Sequence, residues 1–279
     1  MKKQRVGIQG ELGAFSQEAV RQLLGNRAEV IPYQRFEEVF RAIEKGKTDA
    51  AVIPIENTLA GSIHENYDHL LNFDVGIVGE TSVRIVHNLI APPGVRFGDI
   101  RKVYSHPVAL SQCLRFFAAN PKIERTSFYD TAGAVKMVMA EGGPDAAAIG
   151  SRVAAALYGG KILRRSIEDD RHNFTRFFLL CRGRRTEKVQ PKARQWKTTL
   201  VFTTRNTPGA LFRALSAFAL RDISLTKIES RPLRGKPWEY LFYVELLARE
   251  NDPNVQNALR HLAELADFLR VLGSYPKGG

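Results

Sequence analysis

Residues 49–57 read Asp-Ala-Ala-Val-Ile-Pro-Ile-Glu-Asn, an apolar run that ends in a carboxylate and an amide. A short apolar run bounded by polar residues is typical of a buried β-strand. In open α/β sheets, ligands bind beyond the carboxyl ends of the strands. The pattern therefore predicts a buried strand that places Glu56 and Asn57 at its end, either in a ligand site or as a turn and cap.

Similar short apolar runs alternate with helical patterns from Arg5 to about Leu180. This alternation predicts an α/β architecture with largely parallel sheets. The predicted strands are residues 5–9, 28–32, 49–55, 75–86, 102–105, 146–149 and 174–181, and the predicted helices include 16–24, 36–44, 108–118 and 131–140.

A different order of elements follows in the last third of the chain. Strands are predicted at residues 198–203, 223–229, 240–247 and 268–272, and helices at 208–220 and 254–266. This βαββαβ order is typical of a ferredoxin-like domain. Small sheets of this kind usually serve binding or pairing, so we expect catalysis to reside upstream. The predicted division is a catalytic module at 1–183, a basic linker at 184–196 and a C-terminal domain at 197–279.

The formal net charge of +12 raises the question of a nucleic-acid or membrane partner. Much of the positive charge falls in one stretch that we interpret as a solvated linker, and no basic motif interleaved with aromatic residues is present. We therefore expect neither partner. The basic residues of this stretch are Arg182, Arg184, Arg185, Lys188, Lys192, Arg194 and Lys197.

Other classes of site are not indicated by the sequence. The glycines at residues 7–13 are spaced GxxGxxG rather than GxGxxG, so a nicotinamide cofactor is not expected, and the segment is interpreted as a tight turn with or without ligand contact. The histidines and the two cysteines show no metal-ligand spacing. No signal peptide or membrane span is indicated, so we expect a cytoplasmic protein with reduced thiols and without cofactor or metal.

Residues 173–178, Asn-Phe-Thr-Arg-Phe-Phe, place a hydroxyl and a guanidinium among aromatic side chains on a predicted strand. Threonine and phenylalanine are common in strands for structural reasons alone. A buried guanidinium, however, needs an anionic partner. For Arg176, one candidate partner is a substrate carboxylate.

Taken together, these motifs resemble the prephenate dehydratase family, including its arogenate-using relatives, with a fused ACT domain. The resemblance spans nearly the whole chain, with departures at Ala14, Thr58 and Val108, where the family often has Thr, Ser and Gln. The matching segments are residues 10–16, 54–62, 105–107 with Gln112 and Cys113, 130–133 and 173–177, and in the ACT domain 208–211 and 229–232.

The resemblance implies a periplasmic-binding-protein-like catalytic module of two α/β subdomains with the active site in their cleft. The implied reaction is the decarboxylating dehydration of prephenate to phenylpyruvate, or of arogenate to L-phenylalanine. Thr175 would assist the leaving hydroxyl, together with Glu56 and Asn57; Glu56 would either orient that hydroxyl or hold its neighbours. The implied substrate-binding residues are Ser62, Ser105, Gln112, Thr131, Asn173, Arg176 and Phe177.

For the C-terminal domain, the resemblance implies homodimerisation and control by L-phenylalanine. The effector site would join segments of two chains: Asn206, Gly209, Ala210 and Leu211 of one, and Glu229, Ser230, Arg231 and Pro232 of the other. Gly209 is expected to leave room for the amino acid. The sequence leaves open the sign of the effect and whether dimers form tetramers. The rival hypothesis is a non-catalytic amino-acid sensor.

Overall fold

The structure, a computed structural model, describes residues 3–183, 195–233 and 235–278. Most of the predicted basic linker, residues 184–194, lies outside the described residues. The described chain divides into two compact units, the first within Met1–Phe73 and Thr81–Phe178 and the second within Asp74–Glu80 and Leu179–Gly279. In the described part of the chain, no helix is long and apolar enough to cross a membrane.

The N-terminal part alternates strands and helices as expected. In chain order its elements are β1 (Gln4–Gln9), α1 (Phe15–Leu24), β2 (Ala28–Tyr33), α2 (Phe36–Glu44), β3 (Ala50–Asn57), β4 (Gly61–Ser62), α3 (His64–Asn72), β5 (Val75–Arg84), β6 (Asn88–Ala91), β7 (Lys102–Ser105), α4 (Pro107–Ser111), α5 (Leu114–Ala118), β8 (Glu124–Ser127), α6 (Thr131–Glu141), β9 (Ala146–Gly150), α7 (Arg152–Tyr158), β10 (Lys161–Arg164) and β11 (Phe174–Arg182).

These strands form two sheets, and we call the part of the first unit built on each sheet a lobe. The first sheet has the order β2-β1-β3-β11-β5, with β4 beside β3, and β1 lies parallel to both β2 and β3. Strand β3 is the apolar run quoted above, and Ala50–Ile53 and Ile55 are buried. The first lobe thus has the predicted strand at the middle of its sheet.

The second sheet has the order β10-β6-β9-β7-β8. Strand β7 pairs in parallel with β8 and β9, whereas β6 pairs antiparallel with β9 and β10. The prediction of largely parallel sheets is therefore wrong for half of this sheet. Strands β8 and β10 escaped prediction because they are half-exposed edge strands without an apolar run, and β6 lies only four residues beyond β5.

The chain crosses between the two sheets of the first unit twice, through residues 85–87 and through residues 165–173. The turn after β1 also ties the lobes together, because Ser151 Oγ donates a hydrogen bond to the Gly13 carbonyl at 2.6 Å. A Cβ at Gly13 would lie 2.8 Å from the Ala154 Cα, and Gly13 has a φ of +92°. The glycine-rich segment is therefore a tight turn that allows a close contact between lobes.

The C-terminal elements are in the predicted βαββαβ order and confirm the ferredoxin-like domain. The sheet order is β13-β14-β12-β15, and helices α8 and α9 pack on a core that includes Phe202, Phe218 and Leu262. The elements are β12 (Trp196–Thr203), α8 (Ala210–Ala219), β13 (Leu225–Pro232), β14 (Tyr240–Leu246), α9 (Pro253–Leu265) and β15 (Phe268–Pro276).

Lys197 is predicted to lie in a solvated basic stretch, but the structure places it buried in β12. Its Nζ lies 3.0 Å from Glu80 Oε1 and 3.4 Å from Glu245 Oε2. Both carboxylates belong to the same compact unit as Lys197. Charge counting along the sequence missed this triad because Glu80 is far away in the chain and meets Lys197 only in the folded unit.

Candidate active site

A cavity of about 430 Å³ lies between the two lobes of the first unit. The first lobe contributes Asn57 and Thr175, and the second lobe contributes Gln112 and Thr131. All four are among the site residues predicted from the sequence. The cavity lining is Gln9, Phe15, Phe36, Pro54, Asn57, Ala60, Ile63, Ile85, His87, His106, Val108, Ala109, Gln112, Tyr129, Asp130, Thr131 and Thr175.

Strand geometry explains which motif residues reach the cavity. Successive side chains of a strand point to opposite faces. Asn57 and Thr175 line the cavity, whereas their neighbours Glu56 and Arg176 do not. The Arg176 Nε instead donates to Glu56 Oε1 at 2.7 Å. Within each motif, neighbouring residues therefore divide between the cavity wall, formed by Asn57 and Thr175, and an ion pair outside the cavity lining.

Three amide side chains meet beside the Thr175 hydroxyl. The Asn57 Nδ2 donates to Thr175 Oγ1 at 3.0 Å and to Asn173 Oδ1 at 2.7 Å. Asn173 Nδ2 donates to Gln112 Oε1 at 2.8 Å, and Gln112 Nε2 lies 3.3 Å from Asn57 Oδ1. Asn173 is fully buried and Thr175 is 9% exposed. The structure thus brings four of the predicted residues into one network at the cavity wall.

The other predicted substrate-binding residues do not line the cavity. Ser105 is fully buried and its Oγ donates to the Ile149 carbonyl at 2.8 Å. Phe177 is buried in the core, and Ser62 pairs with Glu56 in the β3–β4 ladder. The direct contacts of these residues with substrate, like that of Arg176, stay predictions.

Several residues that line the cavity were not among the predicted site residues. His87 and Tyr129 belong to none of the motifs described above, and Asp130 belongs only to the segment 130–133. Burial lowers the pKa of His87, and burial raises the pKa of Tyr129 to about 12. His87 lies on the crossover between the lobes, and this position brings it to the cavity.

Among the described residues that line the cavity, Asp130 is the one with a carboxyl side chain, and it joins the two lobes. Its Oδ2 accepts hydrogen bonds from the Glu11 backbone N–H at 3.1 Å and from the Gly133 N–H at 2.8 Å. Burial raises the pKa of Asp130, although these two backbone donors oppose the shift. No lysine or arginine is among the lining residues of the described chain. The cavity wall is therefore apolar and hydrogen-bonding, with a carboxyl group whose pKa is raised.

The ferredoxin-like domain has a smaller cavity of about 190 Å³ beside the start of α8. Four predicted effector residues line it, whereas Glu229, Ser230, Arg231 and Pro232 lie on edge strand β13 and do not. Gly209 has a φ of +76°. The backbone conformation itself thus favours glycine at this position. This is a second reason for glycine, besides the expected need to leave room for the amino acid. The four lining residues are Asn206, Gly209, Ala210 and Leu211.

The fold and the cavity define a two-lobed α/β enzyme module followed by a ferredoxin-like domain. The family model described as prephenate dehydratase matches residues 6–185, and that of the ACT domain matches residues 198–264. The chain belongs to the prephenate dehydratase family and ends in an ACT domain; its reaction class is that of the hydro-lyases.

Relatives agree with this assignment. The chain is 47% identical over 282 residues to arogenate dehydratase/prephenate dehydratase 2, chloroplastic, of Arabidopsis thaliana, covering 98% of this chain and 72% of the relative. Among solved structures, prephenate dehydratase from Arthrobacter aurescens in complex with L-Phe has a TM-score of 0.88 at 30% identity, covering 98% of this chain and 90% of the other. The structure of GqqA, described as a novel type of quorum quenching acylase, has a TM-score of 0.88 at 33% identity and covers 98% of both chains.

Proposed function

We propose that this protein converts prephenate to phenylpyruvate, with loss of CO2 and water, and that L-phenylalanine controls it through the ACT domain. The observation that carries the proposal is the hydrogen bond of 3.0 Å from Asn57 Nδ2 to Thr175 Oγ1 at the cavity wall. Because the threonine oxygen accepts this bond, its own O–H is available to a group in the cavity.

Two bonds to the ring break in the reaction. The C–O bond to the hydroxyl group breaks, and the C–C bond to the carboxylate breaks and releases CO2. The electrons of the C–C bond complete the aromatic ring, and one proton converts the departing hydroxide to water. Donation from the Thr175 O–H would stabilise the negative charge that develops on the leaving oxygen. The threonine is a weak acid, so its position and the exclusion of water matter more than its acidity.

The lining residues of the described chain include no lysine or arginine, and this suits a decarboxylation. The ring carboxylate loses its charge as CO2 forms, so a cation held against it would stabilise the ground state more than the transition state. Uncharged donors such as Thr131, Gln112 and backbone N–H groups can orient the substrate without that penalty. Arg176, Glu56 and Ser62 would then support the site from outside the cavity lining.

Arogenate is the second candidate substrate. It carries an ammonium group where prephenate has a keto group, and Asp130 is a carboxylate in the cavity lining that could pair with this ammonium. Relatives such as arogenate dehydratase 2 of Petunia hybrida, 44% identical over 287 residues, carry this activity in their names. A comparison of kcat/KM on prephenate and arogenate decides between the two.

The decisive variant is Thr175→Val, which preserves the shape of the side chain and removes the hydroxyl. We expect kcat to fall by about 10² or more on the preferred substrate, while Thr175→Ser retains part of the activity. Ultraviolet detection of phenylpyruvate, or chromatographic detection of phenylalanine, measures the product. Turnover near that of the unmodified protein in Thr175→Val would overturn the proposed role.

Control by phenylalanine and pairing of ACT domains are part of the proposal. They are supported by the cavity beside α8 and by the bound L-Phe in the Arthrobacter aurescens structure. Strand β13 is an edge of its sheet and exposes Ile228, as a pairing surface would. Calorimetry with phenylalanine and light scattering test both points. A cytoplasmic location stays a prediction, since the Arabidopsis relative is chloroplastic.

A further inference from the structure

The orientation of the Asn57 amide is determined by backbone groups alone. Its Oδ1 accepts from the backbone N–H groups of Leu59 at 3.0 Å and Ala60 at 2.9 Å. Its Nδ2 lies 3.1 Å from the Phe174 carbonyl oxygen. A backbone N–H can only donate and a carbonyl can only accept. The two ends of this amide therefore cannot be exchanged.

This fixed amide determines the next two. Because Asn57 Nδ2 donates to the facing atom of Asn173 at 2.7 Å, that atom must be the oxygen. The Asn173 Nδ2 then donates to the facing atom of Gln112 at 2.8 Å, which must also be an oxygen. The Gln112 Nε2 is left to donate back to Asn57 Oδ1 at 3.3 Å. Every member of this ring of three amides thus has one allowed orientation.

The ring in turn fixes the protonation of His87. The His87 Nε2 lies 2.9 Å from Gln112 Oε1. Since that oxygen can only accept, Nε2 must carry the proton. The Nδ1 of His87 is buried and has no hydrogen-bond partner among the described residues. A neutral ring with its proton on Nε2 leaves this nitrogen as a bare acceptor, whereas an imidazolium would bury an unpaired donor and a charge.

The surroundings of His87 hold the ring in place. The backbone N–H of His87 donates to Glu168 Oε2 at 2.9 Å, and the Phe15 ring centroid lies 6.0 Å from that of His87. Glu168 is the charged group that faces His87 from the other crossover, and Arg84 Nη2 lies 3.9 Å from Glu168 Oε1. His87 therefore has a fixed backbone anchor and one directed side-chain bond.

We infer that His87 is a positioning residue for the dehydration, whose Nε2–H holds Gln112 and, through Asn57, keeps the Thr175 proton directed at the substrate. The bonds run in one direction, from His87 to Gln112, from Gln112 to Asn57 and from Asn57 to Thr175. The inference rests on the proposed role of Thr175 as the hydrogen-bond donor to the leaving hydroxyl.

The test compares two substitutions of His87 in the full-length protein. His87→Gln can present an amide N–H in place of Nε2, whereas His87→Met fills similar space without a donor. We expect kcat to fall by about tenfold in His87→Met and by less than about threefold in His87→Gln, with the loss in kcat rather than KM. Equal losses in both variants, or an unchanged kcat in His87→Met, would overturn the inference.

Nitrogen-15 NMR of histidine-labelled protein provides a readout that does not depend on turnover or on the folding of a His87 variant. We expect His87 as the Nε2–H tautomer at neutral pH, in the unmodified protein and in Thr175→Val alike. The Nδ1–H tautomer or an imidazolium would refute the inference. If Thr175→Val instead keeps full activity while the Nε2–H tautomer is observed, the proposed role of Thr175 fails, and so does the positioning role of His87, but the tautomer assignment stands.

Discussion

The Nε of Arg176 lies 2.7 Å from Oε1 of Glu56, and neither side chain lines the cavity that Asn57 and Thr175 share. The Arg176 side chain is 11% exposed and that of Glu56 is 32% exposed. Glu56, which precedes Asn57, and Arg176, which follows Thr175, are thus engaged with each other. Each motif therefore contributes both to the cavity wall and to an ion pair outside the lining.

Replacing Arg176 with Met should destabilise the fold more than it weakens substrate binding. We expect the free energy of unfolding to fall by about 2 kcal/mol, because the pair is largely buried. KM should change by less than about threefold, whereas the loss of a charged contact to substrate would raise it by at least about tenfold. Urea denaturation and steady-state kinetics measure the two effects. The double variant with Glu56→Gln should lose less stability than the sum of the single variants.

The stability of the fold should depend on the protonation of His87. Burial lowers the pKa of His87 in the folded state below the value of about 6.5 expected for the unfolded chain. Between these two values the unfolded chain binds more protons, so the free energy of unfolding decreases as pH falls from about 6.5 towards the lowered folded pKa. Urea denaturation at several pH values in this window should show a shallower slope for His87→Gln. His106, whose pKa burial also lowers, contributes equally to both proteins and cancels in the comparison.

Substitution of Gly209 should weaken phenylalanine binding, because Gly209 lines the smaller cavity in a left-handed conformation. In Gly209→Ala that conformation costs about 1–2 kcal/mol, and the new Cβ would lie 3.1 Å from the Arg213 Nη1. Gly235→Ala is the matched control, because Gly235 has a φ of +81° and a Cβ there would meet nothing within 4 Å. Both variants should lose similar stability, but calorimetry should show weaker phenylalanine binding only for Gly209→Ala. A similar loss of affinity in Gly235→Ala would contradict this prediction.

Lys197 should be essential to the stability of the C-terminal unit. Lys197→Met leaves the carboxylates of Glu80 and Glu245 buried without the ammonium between them, and we expect a loss of about 3 kcal/mol. Lys236→Met is the control, since the Lys236–Glu239 pair is exposed and its loss should cost less than about 1 kcal/mol. Adding Glu80→Gln to Lys197→Met should restore part of the lost stability. Thermal and urea denaturation compare the variants.

Much of the architecture follows from patterns within short segments. The βαββαβ order of the last third can be read from its periodicity, and the apolar run at 50–57 becomes the central strand. Strands β8 and β10 could not be predicted in this way, because edge strands bury little surface and need no apolar run.

The site could be predicted only in part, for a reason of strand geometry. The motifs name adjacent residues such as Thr175 and Arg176, but the alternation of a strand sends them to opposite faces. His87 and Tyr129 carry no motif, and they reach the cavity because the chain crosses between the lobes and because the lobes pack on each other. The same limit applies to Lys197, whose partners are far away in the chain.

The Oδ2 of Asp130 is a single atom that receives an N–H bond from each lobe. Separation of the lobes would break one of these bonds to a buried carboxylate, at a cost of about 1.5–3 kcal/mol. The two N–H bonds to this one atom therefore oppose separation of the lobes. Any opening that admits substrate or releases product has to break one of them.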